Sequence, residues 1–250
     1  MKITRKVVPG LLTTLNIFCG FLSIIFASQG QLNIAAWIII LAAVFDSLDG
    51  VMARITHSSS QFGVELDSLA DVVSFGAAPS FLAYQTYLST IEPWGIFIAA
   101  LPVMLGAIRL ARFNVQLVGF DKDYFNGLPI PMQAITVCAF VLQFDGGIIG
   151  TDSTAGLGLI VLVIILSLLM VSHVKYDTMP KFSKLQLKSH PWKLIAIFIA
   201  VLIVGFSELY LDKNLLFQML ILYIVFGLIR EAAVWIKKVN KTEDEPLKAG

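Results

Sequence analysis

Long apolar runs separated by short polar segments form the dominant pattern along the chain. Eight runs reach about 18 residues, the length at which an apolar α-helix can cross the hydrocarbon core of a bilayer. The predicted helices are Leu11–Ser28, Asn33–Arg54, Val64–Tyr87, Trp94–Arg112, Pro131–Ile149, Leu157–Val174, Leu194–Leu211 and Leu215–Lys237. The fifth is the least regular, because Gln143 and Asp145 interrupt it. The pattern predicts an all-α protein, a polytopic transmembrane helix bundle of about eight spans.

The composition also indicates a membrane protein. Of the 250 residues, 57% are hydrophobic and only 14% are charged. A soluble globular protein of this size is expected to carry considerably more charge. We therefore expect no separate soluble domain, and only a short charged cytoplasmic tail, residues 240–250, after the last helix.

Basic residues are distributed unevenly between the two sides of the predicted bundle. When the loops are assigned alternately to the two sides, 17 of the 18 Lys and Arg residues fall on one side, and only Lys213 falls on the other. An excess of basic residues marks the cytoplasmic side of a membrane protein. The distribution predicts that both termini are cytoplasmic, although a six-helix arrangement would keep part of the bias.

Four aspartates interrupt the apolar pattern at the edges of the second and third predicted helices: Asp46, Asp49, Asp67 and Asp71. A carboxylate at such a position costs several kcal/mol unless a partner compensates its charge. Arg54 is the only Lys or Arg between positions 7 and 108. One arginine cannot balance four carboxylates, whereas two divalent cations can.

Helical spacing is expected to bring these carboxylates together. The first two are three residues apart and the last two are four apart, so each pair projects from one face of its helix. An antiparallel hairpin of the two helices would combine the pairs into one cluster. Because its ligands are all oxygen atoms, the cluster is expected to bind Mg²⁺ or Mn²⁺ as two divalent cations rather than zinc.

Small residues accompany the carboxylates. Gly50 and Ala53 follow the first aspartate by four and seven positions, and Gly63 precedes the third by four. They leave room for a ligand beside the backbone, and Arg54 lies within reach of a phosphate group. We expect a pocket at the cytoplasmic edge for an anion bound through metal, such as a nucleotide diphosphate. Each residue also has a purely structural explanation, as a helix cap, a packing contact or a membrane anchor.

The same residues resemble the signature of the CDP-alcohol phosphatidyltransferases, DxxDGxxAR, eight residues, GxxxDxxxD. The chain matches all eight fixed positions within 26 residues: Asp46, Asp49, Gly50, Ala53, Arg54, Gly63, Asp67 and Asp71. Members of this family are integral membrane enzymes that transfer a phosphatidyl group from CDP-diacylglycerol to an alcohol and release CMP. The resemblance implies a catalytic core over residues 1–150 and a homodimer. The apolar runs that follow predict additional transmembrane helices of the same membrane domain over residues 151–239.

The resemblance also implies roles for individual residues. All four aspartates would ligate a two-metal site, and Asp71 would also act as the general base. Gly50, Ala53, Arg54 and Gly63 would line the nucleotide site.

Three further stretches resemble the phosphatidylserine synthases of this family: residues 14–21, 109–114 and 125–131. They imply that L-serine is the acceptor alcohol. Arg109 and Arg112, three apart on one helix face, would bind the lipid phosphate or the serine carboxylate, unless they serve only as anchors at the membrane surface. Asn126 and Gly127 would shape the acceptor pocket, unless they only form a turn.

The predicted enzyme is a multi-pass protein of the cell inner (plasma) membrane with its active site at the cytoplasmic face. Its expected partners are CDP-diacylglycerol, L-serine and the lipid bilayer, with no nucleic acid. One alternative keeps the reaction but uses glycerol 3-phosphate or inositol as the acceptor. The other is an ion-coupled secondary transporter, which would place its carboxylates near the midplane and repeat broken helices in both halves of the chain. The sequence shows no such repeat.

Overall fold

The structure is a computed structural model that describes residues 7–56, 60–117, 125–144, 153–172, 174–176 and 215–243. The helices in these ranges are α1 (Val7–Ser28), α2 (Leu32–Thr56), α3 (Gln61–Asp71), α4 (Ala78–Thr86), α5 (Trp94–Leu117), α6 (Ile130–Gln143), α7 (Ser153–Val171) and α8 (Leu215–Glu243). A π-helical turn, Val72–Ala77, joins α3 to α4, and a 3₁₀ turn, Leu88–Ile91, precedes α5. The predicted helix Leu194–Leu211 lies outside the described residues.

Five of these helices are long and apolar enough to cross a membrane: Pro9–Ser28, Leu32–Ala53, Trp94–Val115, Thr154–Val171 and Leu215–Ala233. Large apolar side chains remain exposed on their outer surfaces, as Leu157 and Val161 do on α7. The prediction of a helical membrane protein is confirmed. Apart from the helices, the described residues contain one antiparallel pair of two-residue strands, β1 (Phe125–Asn126) and β2 (Lys175–Tyr176).

The third predicted span is not a single α-helix. It forms the continuous run of α3, the π-helical turn and α4. Ser74 in the π-helical turn donates a hydrogen bond to the backbone carbonyl of Asn16 at 2.8 Å, and the turn packs tightly against Gly20 of α1. A Cβ atom at Gly20 would lie 2.5 Å from Ser74 Oγ. The small residue therefore allows the close helix contact at which the wider turn occurs.

The hairpin of α1 and α2 forms the largest helix-to-helix contact of the fold. A turn around Gly30, whose φ is +76°, reverses the chain between the two helices. Ala35, Ala36 and Ile39 of α2 are completely buried in this contact region, and Ser23 of α1 donates to Ala35 O at 2.9 Å. Small residues allow backbones to approach closely where, as in a membrane, van der Waals packing drives helix association.

Successive antiparallel helices place the buried aspartates of the core, Asp49 and Asp71, at one end of the bundle. The start of α1, the end of α2 and the start of α3 meet there, as do the end of α5, the start of α6 and the end of α7. We call this the polar end. The turn at Gly30 and the turn near Glu92 lie at the opposite end. The polar end contains the candidate site.

Candidate active site

The aspartates of α2 and α3 form one cluster, as their spacing predicts. Asp46, Asp49 and Asp67 each present a carboxylate oxygen, and these three oxygens lie within 4.8 Å of one another. Asp71 is buried, its carboxyl group contacts that of Asp46, and it experiences the charges of the other three carboxylates. The hairpin therefore gathers all four predicted ligands at the polar end.

The donor set of this cluster fits a hard divalent cation. Asp67 Oδ1 and Asp71 Oδ1 are buried and have no hydrogen-bond partner among the residues that the structure describes. Carboxylate oxygens in such surroundings are costly unless a cation or a donor approaches them. The ligand atoms are all oxygen, the type that Mg²⁺ and Mn²⁺ prefer. The cluster can therefore hold metal through oxygens of Asp46, Asp49 and Asp67, and a ligand role for Asp71 beside them stays a prediction.

One carboxylate of the cluster is held from a third helix. Thr13 of α1 donates a hydrogen bond from Oγ1 to Asp49 Oδ2 at 2.8 Å, and both residues are buried. Asn16, one turn later in α1, is also fully buried, and neither of its side-chain amide atoms has a hydrogen-bond partner. The start of α1 thus brings polar groups to the carboxylates.

A cavity of about 190 Å³ adjoins the cluster. Its lining comes from α3, from the end of α5 and from the segment that begins α6: Val64, Asp67, Ser68, Asp71, Arg109, Leu110, Phe113, Asn114, Pro129, Ile130 and Pro131. Arg109 faces the charge of Asp71 at this cavity, and its buried Nε atom has no hydrogen-bond partner among the described residues. The cavity therefore combines acidic groups with a guanidinium group whose Nε donor is unused within the described structure.

A polar network beside the cavity was not predicted from the sequence. Asn114 Nδ2 donates to Ser68 Oγ at 2.9 Å and to Glu65 Oε2 at 3.5 Å. These residues join the end of α5 to α3 beside the two cavity aspartates. Asn114 ends the stretch 109–114 that resembles phosphatidylserine synthases. That resemblance is a sequence feature that could have indicated Asn114, whereas only Arg109 and Arg112 of this stretch were predicted site residues.

The residues predicted to line a nucleotide site lie on or near the same hairpin. A Cβ atom at Gly50 would meet no heavy atom within 4 Å, so one side of α2 is open there. Gly63 lies in the first turn of α3, where its backbone N–H donates to Ser60 Oγ at 3.0 Å. Ala53 and the backbone of Arg54 lie in the last turns of α2, but the side chain of Arg54 lies outside the described part of the structure.

Arg112 and Gly127 are not among the described residues that line the cavity, and the side chain of Asn126 lies outside the described part of the structure. Arg112 is exposed, and its Nη1 donates to Val171 O at the end of α7 at 3.3 Å. Gly127 is buried against the same helix end, and Asn126 belongs to the short strand β1. The predicted substrate contacts of these three residues stay predictions.

Comparisons with known proteins agree with this geometry. The profile of the CDP-alcohol phosphatidyltransferase family matches residues 6–172. The chain is 36% identical over 236 residues to the CDP-diacylglycerol–serine O-phosphatidyltransferase of Helicobacter pylori (strain ATCC 700392 / 26695), covering 94% of this chain and 95% of that protein. It is 34% identical over 186 residues to the corresponding protein of Bacillus subtilis (strain 168), covering 74% and 98%. It is 40% identical over 178 residues to the archaetidylserine synthase of Methanothermobacter thermautotrophicus, covering 70% and 72%.

The matched region contains the whole carboxylate hairpin, the cavity and the end of α7. Its extent and the full-length similarity to the Helicobacter protein lead to one assignment: the chain belongs to the CDP-alcohol phosphatidyltransferase family.

Proposed function

We propose that this protein is a phosphatidylserine synthase, which transfers the phosphatidyl group of CDP-diacylglycerol to the hydroxyl group of L-serine and releases CMP. One observation carries the proposal: the family signature coincides with a partly buried carboxylate cluster that adjoins a cavity whose described lining includes Arg109. The choice of serine is supported by relatives that are named for the serine reaction, one of which aligns over 94% of the chain.

The four aspartates hold two divalent cations, Mg²⁺ or Mn²⁺. Held there, the ions would supply the positive charge that neutralises the diphosphate of CDP-diacylglycerol and the departing CMP. The unpartnered oxygens of Asp67 and Asp71 support this role, because a cation supplies the counter-charge that they lack. Thr13 orients Asp49 within the ligand set.

Asp71 serves as the general base. It belongs both to the carboxylate cluster and to the cavity wall, so it faces the metal ligands and the acceptor together. Its carboxylate accepts the proton of the serine hydroxyl while serine Oγ forms a bond to the phosphorus that carries the lipid. The bond between that phosphorus and the oxygen of CMP breaks in the same displacement, and CMP leaves with that electron pair.

The cavity binds the acceptor. Arg109 provides donors for the carboxylate of serine, and the free Nε atom is one of them. The side-chain oxygens of Asn114 and Ser68, which line the cavity, provide acceptors for the ammonium group of serine, and Asn114 is hydrogen-bonded to Glu65 beside them. A small acceptor with both charges matches this mixed lining better than an acceptor with an additional phosphate.

The nucleotide lies on the other side of the cluster. Gly50, Ala53, Arg54 and Gly63 line its site, and the open side of α2 at Gly50 leaves space for the diphosphate to approach the backbone. The same positions are the small and basic residues of the family signature.

The arrangement in the membrane follows the predicted topology. We infer about eight spans, both termini in the cytoplasm, and a polar end at the cytoplasmic face of the cell inner membrane. A catalytic core of residues 1–150, further helices over residues 151–239, and a homodimer complete the proposal.

An acceptor panel tests the function. The purified protein in detergent, with CDP-diacylglycerol and Mg²⁺ or Mn²⁺, is expected to release CMP with L-serine but not with glycerol 3-phosphate or inositol. No CMP release with serine would reject the assignment, and release with another alcohol alone would identify the acceptor. Solute flux into vesicles that depends on metal but forms no lipid product would instead support the transporter.

The panel includes a variant of the proposed base. Asp71→Asn is expected to lower kcat about 100- to 10,000-fold, the usual contribution of a general base, while CDP-diacylglycerol binding is retained. Glu92→Gln, which alters an acidic residue at the opposite end of the bundle, is the control. Complete loss of CDP-diacylglycerol binding in Asp71→Asn would make Asp71 chiefly a metal ligand.

A further inference from the structure

The segment before α6 is attached to the C-terminal end of α7. Gly127 N donates to Val174 O at 2.8 Å, and Leu128 N donates to Leu169 O at 3.0 Å. Gly127 has a φ of +86°, and a Cβ atom there would collide with the backbone carbonyl of Met170. Only glycine satisfies both the backbone conformation and the close approach. The two-residue pairing of β1 with β2 extends the attachment.

The end of α5 is attached to the same end of α7. Arg112 Nη1 donates to Val171 O, the carbonyl of the last residue of α7. The terminal carbonyls of a helix carry partial negative charge, so a guanidinium group at this position is favourable. One turn and a half earlier in α5, Gly106 allows close packing, since a Cβ atom there would lie 2.6 Å from Ile130 Cδ1 and 3.9 Å from Met170 Cε.

These two attachments meet at the cavity. Arg109 and Asn114 of α5 line the cavity, as do Pro129 at the end of the attached segment and Pro131 in the first turn of α6, which we call the proline wall. Among the described residues, α7 contributes no side chain to the lining. The helix therefore contacts the elements that carry both sets of lining residues without lining the cavity itself.

We propose that the C-terminal end of α7 positions the acceptor cavity, with Gly127 and Arg112 acting as positioning residues rather than as substrate contacts. The proposal rests on the proposed function only in taking the acceptor in this cavity to be serine. By holding the end of α5 and the segment before α6 together, α7 sets the separation between Arg109 and the proline wall. The fit of the acceptor then depends on a helix that does not touch it.

Gly127→Ala tests the attachment against a matched control. Displacing the proline wall is expected to raise the KM for serine about 10-fold or more, because a shift of about 1 Å can cost up to about 100-fold in an enzyme. Binding of CDP-diacylglycerol with Mn²⁺, followed by thermal shift, is expected to stay within about twofold of the wild-type value. Gly30→Ala introduces the same positive-φ strain at the opposite end, where a Cβ atom meets nothing within 4 Å, so its KM is expected to be unchanged.

Arg112 gives a second, independent test if Gly127→Ala does not fold. Arg112→Ala is expected to raise the KM for serine, whereas Arg112→Lys restores much of it, since a single donor is sufficient for the Val171 carbonyl. If Arg112 instead bound the carboxylate or phosphate of a substrate directly, it would need the forked guanidinium group. Arg112→Lys would then raise the KM for serine as much as Arg112→Ala does.

The outcomes separate the two proposals. If the wild-type protein releases no CMP with serine, the proposed function is wrong. If the wild-type protein does release CMP with serine, two results would show that α7 does not position the cavity. One is an equal serine KM for Gly127→Ala and Gly30→Ala, and the other is a serine KM for Arg112→Lys that is raised as much as that for Arg112→Ala. A selective rise in the serine KM of Gly127→Ala together with rescue by lysine at position 112 supports the proposal, and where Gly127→Ala does not fold, rescue by lysine alone supports it.

Discussion

The hydroxyl group of Thr13 connects α1 to the carboxylate cluster through a single hydrogen bond. It lies 2.8 Å from Asp49 Oδ2 and 3.0 Å from Pro9 O, within its own helix. Thr14, the next residue, donates instead to Gly10 O on the exposed side of α1. The hydroxyl group of Thr13 therefore contacts the carboxylate cluster, whereas the hydroxyl group of Thr14 bonds only within its own helix.

Thr13→Val is predicted to weaken metal binding about 10-fold, because loss of a hydrogen bond to a ligating carboxylate typically costs 10- to 100-fold. Titration with Mn²⁺, followed by the thermal stability of the purified protein, measures this directly, and the Mn²⁺ concentration for half-maximal activity should rise in parallel. Thr14→Val is the matched control and should behave as wild type. Equal midpoints for the two variants would show that the Thr13 hydroxyl does not orient Asp49.

Sequence spacing could predict the carboxylates but not their neighbours across the cavity. Asp46 and Asp49 share a face because helix geometry is fixed over three residues, and a short hairpin then brings α3 alongside. The contact between Ser68 and Asn114 joins residues 46 positions apart, and it depends on how α5 packs against α3. No local periodicity encodes that packing, so Asn114 could be recognised only in the structure.

At the scale of elements, the π-helical turn lies directly after Asp71 and contacts α1 and α5. A π-helical turn is wider than an α-helical turn. It therefore changes the angle, measured about the helix axis, between the side chains of α3, which carries predicted metal ligands, and those of α4, which is buried in the bundle. Ser74 and Gly20 fix the turn against α1. This contact therefore holds the orientation of α3 relative to the rest of the protein.

Gly20→Ala is predicted to destabilise the protein by about 1–3 kcal/mol, the usual cost of inserting a methyl group into a tightly packed contact. Because α3 would be displaced, the stabilisation by Mn²⁺ should also decrease. Thermal unfolding in detergent with and without Mn²⁺ tests both effects. Gly10→Ala, in the same helix with nothing within 4 Å of the added Cβ atom, should change neither. An unaltered Gly20→Ala protein would mean that the contact is more pliable than its geometry indicates.

The apolar pattern could predict the location of the third helix but not its pitch. The length of an apolar run predicts how many residues lie in the bilayer, but it does not change when one helical turn contains an extra residue.

The fifth predicted helix differs from its prediction for a local reason. It ends at Gln143, the first of the polar residues that interrupt the run, and Gln143 accepts a hydrogen bond from Gln218 of α8 at 3.0 Å.

At the scale of the whole molecule, the polar end contains both the metal ligands and the cavity, whereas the opposite end contains short turns. A site shared by a lipid substrate and a water-soluble one must lie at a boundary between bilayer and water. The distribution of Lys and Arg predicts that this boundary is the cytoplasmic one. The orientation can be tested independently of catalysis.

Single cysteines at the two ends should be labelled from opposite sides of the membrane. Gln61→Cys introduces an exposed thiol at the start of α3, and Thr90→Cys introduces one in the turn before α5. A membrane-impermeant maleimide is expected to label Thr90→Cys in intact cells and Gln61→Cys only after permeabilisation. The native thiols, Cys19 and Cys138, are buried and provide a low background. The reverse labelling pattern would place the active site on the outer face.

The division of the carboxylates between α2 and α3 has a consequence for biogenesis. Neither helix contains the site alone, so a chain whose helices have entered the bilayer without associating is inactive, however complete its insertion. A cation that binds only the associated helices shifts the equilibrium towards them, as does any ligand specific for a native state. The ion needed for chemistry would thereby also favour assembly of the enzyme, and cellular supply of the metal would influence how much of the inserted protein matures.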